Sequence, residues 1–360
     1  MTIGVLALQG NFREHAQMLR DLGVGHEADG RTAHAAAFGH LLAHQIGEVG
    51  DDADAHRPVH CRAGIVDAAI DRIGAPVATG WNAHDALHDT HPLYAGRPGT
   101  VGDRAGNFAV QTADYVLVLG SRLNIRQVSY NWSSFARNAK VAMVDIDQAE
   151  LDKPTLNLHR KVHANLAAFF AAAEGQPTPA TDCKAERAAY VNRCRERSAQ
   201  YPVVLPEYRD VESPVNPYVF GEALFAELED GDIIVTGDGT ACVTTFQCAA
   251  IKPGQRLYTN SGCASMGYDL PAAIGAYYAS HAKRIICLAG DGSIMMNLQE
   301  LQTIVGQKLP VKLFILNNDG YHSIRQSQQN HFPDNIVGCG TDSGLTFPDF
   351  VKLAGGFDLE

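Results

Sequence analysis

The sequence predicts an α/β protein built of two parallel-sheet, three-layer domains, with the sheet of the second left incomplete. Apolar runs and helical patterns alternate as β-α-β over 55–174 and again over 214–360. Between the two series, 175–213 carries Pro177, Pro179, Pro202, Pro206 and a charged helical stretch from Lys184 to Arg197, the signature of a linker. Two buried-looking strands, Arg284 to Ala289 and Val311 to Leu316, end at Asp291 and Asn318. The C-terminal ends of strands are where open α/β sheets collect ligands.

The elements follow in order. Ile3 to Leu8 reads as a strand, Gln9-Gly10-Asn11 as a turn, and Phe12 to Leu22 as a helix stopped by Gly23. Residues 25–54 lose the pattern in His, Ala and Asp and read as a junction. From Pro58-Val59 the order returns, with a turn at Gly64 and a helix to Ile73. A strand over Pro76 to Thr79, a helix near Asn107 to Ala113, the strand Tyr115 to Leu119, a helix start near Asn131 and the strand Lys140 to Ile146 complete the central domain. The second domain opens with a helix over Tyr218 to Glu229, then the strand Asp232 to Thr236 and the loop Gly237-Asp238-Gly239-Thr240. Ser293 to Val305 reads as a helix stopped by Gly306, and Phe350 to Ala354 as a helix before the start of a next strand.

Composition narrows the function. With 46% hydrophobic and 19% charged residues the 360-residue chain is globular. Its 29 basic and 40 acidic residues give a net charge of −11, which argues against nucleic acid or an anionic membrane as the main partner. Eight cysteines without a C-x-x-C pair indicate neither a disulfide framework nor a zinc ribbon and fit a reducing cytoplasm. The N-terminus lacks a signal peptide pattern, and no apolar run is long enough to span a membrane.

Gly290-Asp291-Gly292 and the pair Asn317-Asn318, separated by the 24 residues 293–316, form the strongest chemical pattern in the chain. Mg²⁺ takes one or two protein oxygens and leaves its remaining positions to phosphates and water. Asp291 would supply charge, Asn318 a neutral carbonyl oxygen, and the Gly320 backbone carbonyl a third protein ligand. Gly290 and Gly292 let the backbone approach a polyanion, and the helix after Gly292 would point its free N–H groups and positive end at a diphosphate.

These residues resemble the thiamine-diphosphate signature of the acetolactate synthase-like family. Ser261 to Tyr268, Leu270 to Gly275 and Gly320-Tyr321 fall in the family's order. The resemblance implies Asp291, Asn318 and Gly320 as metal ligands, and a cofactor site that includes Gly239, Thr240, Ala264, Met266, Gly290, Gly292, Ser293, Asn318 and Tyr321. Met266 matches the apolar wedge that bends the cofactor, a preorganising role; as an isolated residue it would be a core methionine. A full relative would make or break the bond beside a 2-oxo acid carbonyl, as a transferase or lyase, with thiamine diphosphate and Mg²⁺ as cofactors and a dimer as the assembly.

Residues 55–174 resemble the same family's central domain, on Ala75 to Trp81 and Ala113 to Arg122. Some relatives hold FAD there and many leave it empty; Gly120, Arg122, Asp145 and Asp147 sit where a dinucleotide could touch, but no clean G-x-G-x-x-G is present. FAD is therefore the lesser expectation.

The family's pyrimidine-binding domain, whose glutamate promotes loss of the cofactor's C2 proton, has no counterpart in residues 1–54, and Glu27 lacks its β-unit context. A catalytic glutamate is not found, which leaves open a non-catalytic cofactor-binding fragment that needs a pyrimidine domain from a partner. Residues 1–24 instead resemble the start of the glutaminase subunit of pyridoxal phosphate synthase, on Gly4 to Gly10 and Arg13-Glu14-His15. A glutamine amidotransferase is thus a further alternative, although its nucleophile and His-Glu pair have no matching context.

Other patterns weigh less. His40 and His44, with His56 and His60 nearby, offer imidazoles but no three-ligand set. His60-Cys61-Arg62-Ala63-Gly64 resembles a cysteine-phosphatase loop with Asp67 where arginine should stand. His322 and Arg325 could contact a substrate carboxylate or carbonyl, or be solvated loop residues.

Overall fold

The computed structural model describes residues 3–7, 68–174, 184–211 and 213–359, the first of these as backbone only. The turn at Gln9, the helix Phe12 to Leu22, Glu27, the histidines His40, His44, His56 and His60, the Cys61 loop and the turn at Gly64 lie outside the described residues. Two compact units emerge, one holding the described residues up to 211 with Ala250–Lys252, the other holding 213–249 and 253–359.

The first unit carries four parallel strands in the order β1 (Ile3–Ala7), β2 (Tyr115–Leu119), β3 (Lys140–Asp145) and β4 (Arg160–His163). β1 pairs with β2 from Ile3 opposite Tyr115, so the chain's first apolar run is an edge strand of the central sheet. One face of β2 and β3, with Val116, Val118, Val141 and Met143, packs on α1 (Arg104–Gln111) and α5 (Lys184–Gln200) through Ala109, Val110, Tyr190 and Cys194. The opposite face, with Leu119 and Val144, meets Phe170 of α4 (Leu166–Glu174), Ile70 and Val77. Short helices α2 (Ile125–Val128) and α3 (Gln148–Asp152) fill the connections.

Three expectations for this unit change. Pro76 to Thr79 is not a strand: Val77 makes a single parallel bridge to Tyr94, and Val77 N–H donates to the Leu93 carbonyl at 2.7 Å. The helix start near Asn131 is only a 3₁₀ turn, Trp132–Ser134, the regular helix having formed earlier at α2 under an Asn124 cap. The charged stretch from Lys184, expected in a linker, is a 17-residue helix whose Tyr190 and Cys194 are buried in the core. Charge on its outer face hid an apolar stripe on the inner one.

The second unit is a parallel sheet in the order β6 (Arg256–Thr259), β5 (Ile233–Thr236), β7 (Ile285–Gly290), β8 (Val311–Leu316). All four residues of β5 and the first five of β7 are buried, as strands covered on both faces must be. Ile233, Val235, Ile285 and Cys287 pack with Leu270, Ala273 and Ile274 of α8 (Asp269–Ser280) and with Leu301 and Ile304 of α10 (Glu300–Gly306). α6 (Pro217–Glu227) starts at an Asn216 cap, and α7 (Thr240–Cys248) follows β5 directly. Because β6 and β7 flank β5 on opposite sides, the strand order reverses at β5, and the ends of β5 and β7 open a crevice.

The expected helix from Ser293 to Val305 is two pieces, α9 (Asp291–Ile294) and α10, joined by turns at 295–299. Asn297 breaks it: its Nδ2 donates to the Gly267 carbonyl at 2.5 Å, a bond that a continuous helix would not position. After β8 come α11 (His322–His331) and α12 (Phe350–Gly356). Asp349 caps α12 by accepting from Val351 and Lys352, and the helix runs through Gly355 and Gly356, where the start of a strand was expected.

Candidate functional site at the switch point of the second sheet

The crevice lies at the ends of three neighbouring strands, with one residue from the connection after β6. After β5 come Asp238, Gly239 and Thr240; after β7, Gly290 to Ser293; after β8, Asn318 and Gly320 to Ile324; Met266 closes one wall. Gly239 adopts φ +92, which only glycine takes without strain, and a Cβ there or at Gly290 would meet no atom within 4 Å. The two glycines therefore leave room beside the starts of α7 and α9.

Asp291 ties these connections together. Its Oδ1 accepts from Gly292 N–H at 2.7 Å, and its Oδ2 accepts from Asn318 N–H at 3.1 Å and Gly320 N–H at 2.9 Å. The carboxylate is only 2% exposed, so the loop after β8 is hung on an anion at the end of β7. Asn318 lines the same crevice, and its Oδ1 is buried without a hydrogen-bond partner among the described residues. An orphaned buried acceptor costs about 1–3 kcal/mol unless something satisfies it. Carboxylate, amide oxygen and a backbone carbonyl are the hard donors that Mg²⁺ prefers, so the residues present fit that ion. No group of three His, Cys, Asp or Glu that could hold a metal occurs among the described residues.

The other candidate positions have particular surroundings. Tyr321 sits on Gly292: a Cβ there would collide with the ring's Cε1 and lie 2.8 Å from Cδ1. The space that Gly292 leaves is taken by an aromatic face rather than held open. The Ser293 hydroxyl, expected beside the diphosphate, is turned into the protein, accepting from Gly267 N–H at 2.8 Å and donating to Asp269 Oδ2 at 2.6 Å. Met266, next to the glycine so held, lines the crevice, whereas Ala264, at φ +54, is not among its lining residues.

Asp269 is a group that reading the sequence missed. It is fully buried at the start of α8, and burial pushes its carboxyl up from the usual range, opposed by the Ser293 hydroxyl and the Leu270 N–H. The signal was present in Tyr268-Asp269-Leu270, a lone carboxylate before an apolar helix, which reads as an ordinary first-turn acid. Asp238, and Ser323 and Ile324 of the stretch after Asn318, also line the crevice.

In the first unit, the positions considered for a dinucleotide are engaged with neighbours. Arg122 Nε donates to Glu150 at 2.6 Å, Gly120 N–H to the Val144 carbonyl at 3.0 Å, and Asp147 accepts from Ala149 N–H to cap α3. Asp145 accepts from Asp147 N–H at 2.8 Å.

Comparison with known proteins agrees with this geometry. Residues 62–170 match the model of the thiamine pyrophosphate enzyme central domain, and residues 237–360 that of the thiamine pyrophosphate enzyme C-terminal TPP binding domain. The chain is 34% identical over 277 residues to the acetolactate synthase isozyme 1 large subunit of Escherichia coli (strain K12), an alignment covering 76% of this chain and 46% of that one. It is 33% identical over 290 residues to the acetolactate synthase large subunit of Cyanidium caldarium, covering 80% and 48%. It is also 33% identical over 279 residues to the isozyme 2 large subunit of Escherichia coli (strain K12), covering 76% and 47%. The chain thus spans about half the length of these relatives. A crevice at the switch point of a parallel sheet and two matched domain models in their order along the chain lead to one statement: this protein belongs to the thiamine pyrophosphate enzyme family, with the central and the C-terminal TPP binding domains of that family.

Proposed function

We propose that the second unit binds thiamine diphosphate through Mg²⁺, and that the chain serves an acetolactate synthase-like reaction on small 2-oxo acids. The observation that carries the reading is the pairing of Asp291 with Asn318: a buried carboxylate that organises the loop, beside an amide oxygen with no partner among the described residues. Asp291, the Asn318 side chain and the Gly320 carbonyl would hold the ion. Gly239, Thr240 and Gly290 would border the diphosphate, with the N–H groups at the start of α7 turned to its charge. Met266 and Tyr321 would flank the rest of the cofactor, and His322 and Ile324 the substrate side. Bound there, the cofactor supplies an electron sink for bonds next to a carbonyl. The 2-oxo acid substrate rests on the names of the relatives, and an acidic chain would reach such anions by local groups rather than by its net field.

A second reading has its own support. Among the described residues that line the crevice there is no glutamate, the group that acts as acid and base toward the aminopyrimidine in the family. The chain would then bind the cofactor and depend on a glutamate-bearing domain, from a second copy or a separate partner, for turnover. FAD in the first unit stays outside the proposal, as does a glutamine amidotransferase. No described helix is long and apolar enough to cross a membrane, and a cytoplasmic setting accords with the scattered free cysteines.

Titration calorimetry with thiamine diphosphate in the presence of Mg²⁺ tests the binding reading. Saturable heat that vanishes on adding chelator is the expected result, and Asp291→Ala should weaken it by about two orders of magnitude or more, since removing a charged ligand also frees the loop after β8. Full affinity in Asp291→Ala would place the ion elsewhere.

A further inference from the structure

Arg325 was a candidate for touching substrate; its surroundings assign it different work. It lies in the first turn of α11, and its Nη2 donates to three backbone carbonyls, those of Asn318 at 3.3 Å, Asp319 at 2.9 Å and Cys339 at 3.3 Å. The Cys339 carbonyl also accepts from Tyr321 N–H at 3.0 Å, within a bridge that pairs Gly320 with Gly340. The loop after β8 is therefore gripped on both sides. Asp291 takes the N–H groups of Asn318 and Gly320, while Arg325 takes the carbonyls of Asn318 and Asp319.

The grip fixes an unfavourable backbone. Asp319 stands at φ +57 and Gly320 at φ +141, where a Cβ would collide with the Cys339 carbonyl and come within 3.0 Å of Arg325 Nη2. With the carbonyls of residues 318 and 319 turned to the guanidinium, the next carbonyl, that of Gly320, is the one the loop can present to an ion.

We propose that Arg325 is a positioning residue for the metal, a clamp that joins the 318–320 loop to the 338–343 strap and presets the Gly320 carbonyl and the Asn318 side chain. This rests on the proposed Mg²⁺ and thiamine diphosphate site. All three bonds come from Nη2, whose two N–H groups are held in the guanidinium plane and shared among the carbonyls, whereas a lysine ammonium turns freely on a flexible stem. Groups behind the ligands tune metal affinity by roughly ten- to a hundredfold when removed.

The test is a double titration of the full chain and its Arg325→Lys and Arg325→Ala variants, followed by calorimetry. Mg²⁺ is varied at saturating thiamine diphosphate, and thiamine diphosphate at saturating Mg²⁺. The expected result is a Mg²⁺ midpoint raised roughly tenfold or more in Arg325→Ala and less in Arg325→Lys, with cofactor affinity restored by excess Mg²⁺. An unchanged midpoint overturns the proposal, as does a loss of cofactor affinity that no Mg²⁺ concentration repairs. Hydrogen exchange on the unaltered protein gives an answer even where the variants fail to fold. Residues 318–321 and 338–343 should gain protection together on adding Mg²⁺ with thiamine diphosphate, and protection of the first without the second rejects the clamp. If the unaltered protein binds no thiamine diphosphate, the parent reading fails and the inference with it; if it binds and only the Arg325 outcomes fail, the inference alone falls.

Discussion

Tyr321 and Gly292 illustrate how a single side chain can be chosen for its neighbour. A methyl group at position 292 must displace the tyrosine ring, because Cε1 and Cδ1 already occupy its place. Gly292→Ala should therefore destabilise the protein by about 1–3 kcal/mol, the usual cost of overpacking. Urea unfolding of Gly292→Ala in a Tyr321→Ala background should recover most of that loss, and additive effects would show that the ring is not the obstacle. Asp269 adds a residue whose charge matters. Burial makes its native carboxyl hold a proton more tightly than the unfolded chain's does, the ordinary value being 3.8. Between that value and the raised native one the folded state carries the extra proton, so stability falls as pH rises through the window, and above it the full cost remains. Asp269→Asn removes this titration. Its stability relative to the unaltered protein should climb from about pH 4 upward, measured as unfolding midpoints across a pH series, and a constant difference would mean that Asp269 ionises normally.

At the scale of elements, what could be read from sequence depended on what held each element in place. Strands β2 and β8 follow the sequence boundaries residue for residue, because each is a short run of strand-forming residues bounded by loop residues, although only β2 is largely buried and β8 is half-buried with Lys312 exposed. The helix expected after Ser293 divides because Asn297 bonds to Gly267, a partner 30 positions away that no local pattern reveals. The helix α5 was expected as a charged helical stretch, but its place in the core was not, because its charged surface outweighs its few inward residues. Tyr190 is 2% exposed, and its hydroxyl donates to the Ala109 carbonyl at 2.6 Å, which fastens α5 to α1. Tyr190→Ala should cost about 3–5 kcal/mol, the range for a large buried aromatic, while Tyr190→Phe should cost about 1 kcal/mol. Denaturant unfolding of the two variants distinguishes a core helix from a tether, since a tether would tolerate both.

For the whole molecule, the candidate site was legible where chemistry is written in residue type and illegible where it is written in distance. Asp291, Asn318 and the glycines were found because a carboxylate and an amide at strand ends carry meaning alone; Asp269, and Arg325 as a clamp, needed the fold to bring their partners near. On the proposed reading, the described residues would form the diphosphate and metal side of a site, with hard oxygen donors and, among the described lining residues, no glutamate. In the family a carboxyl group that moves a proton speeds the reaction at the cofactor's reactive end, a contribution of typically 10²–10⁴-fold. If a separate domain supplies that carboxyl, the full chain, saturated with thiamine diphosphate and Mg²⁺, should exchange the cofactor's C2 hydrogen with deuterated water at close to the rate of the free cofactor, as followed by proton NMR. Adding a glutamate-bearing pyrimidine-binding domain should accelerate the exchange by about a hundredfold or more. Acceleration by the chain alone would show that its own residues supply the carboxyl and would reject the reading in which turnover depends on a glutamate-bearing partner domain.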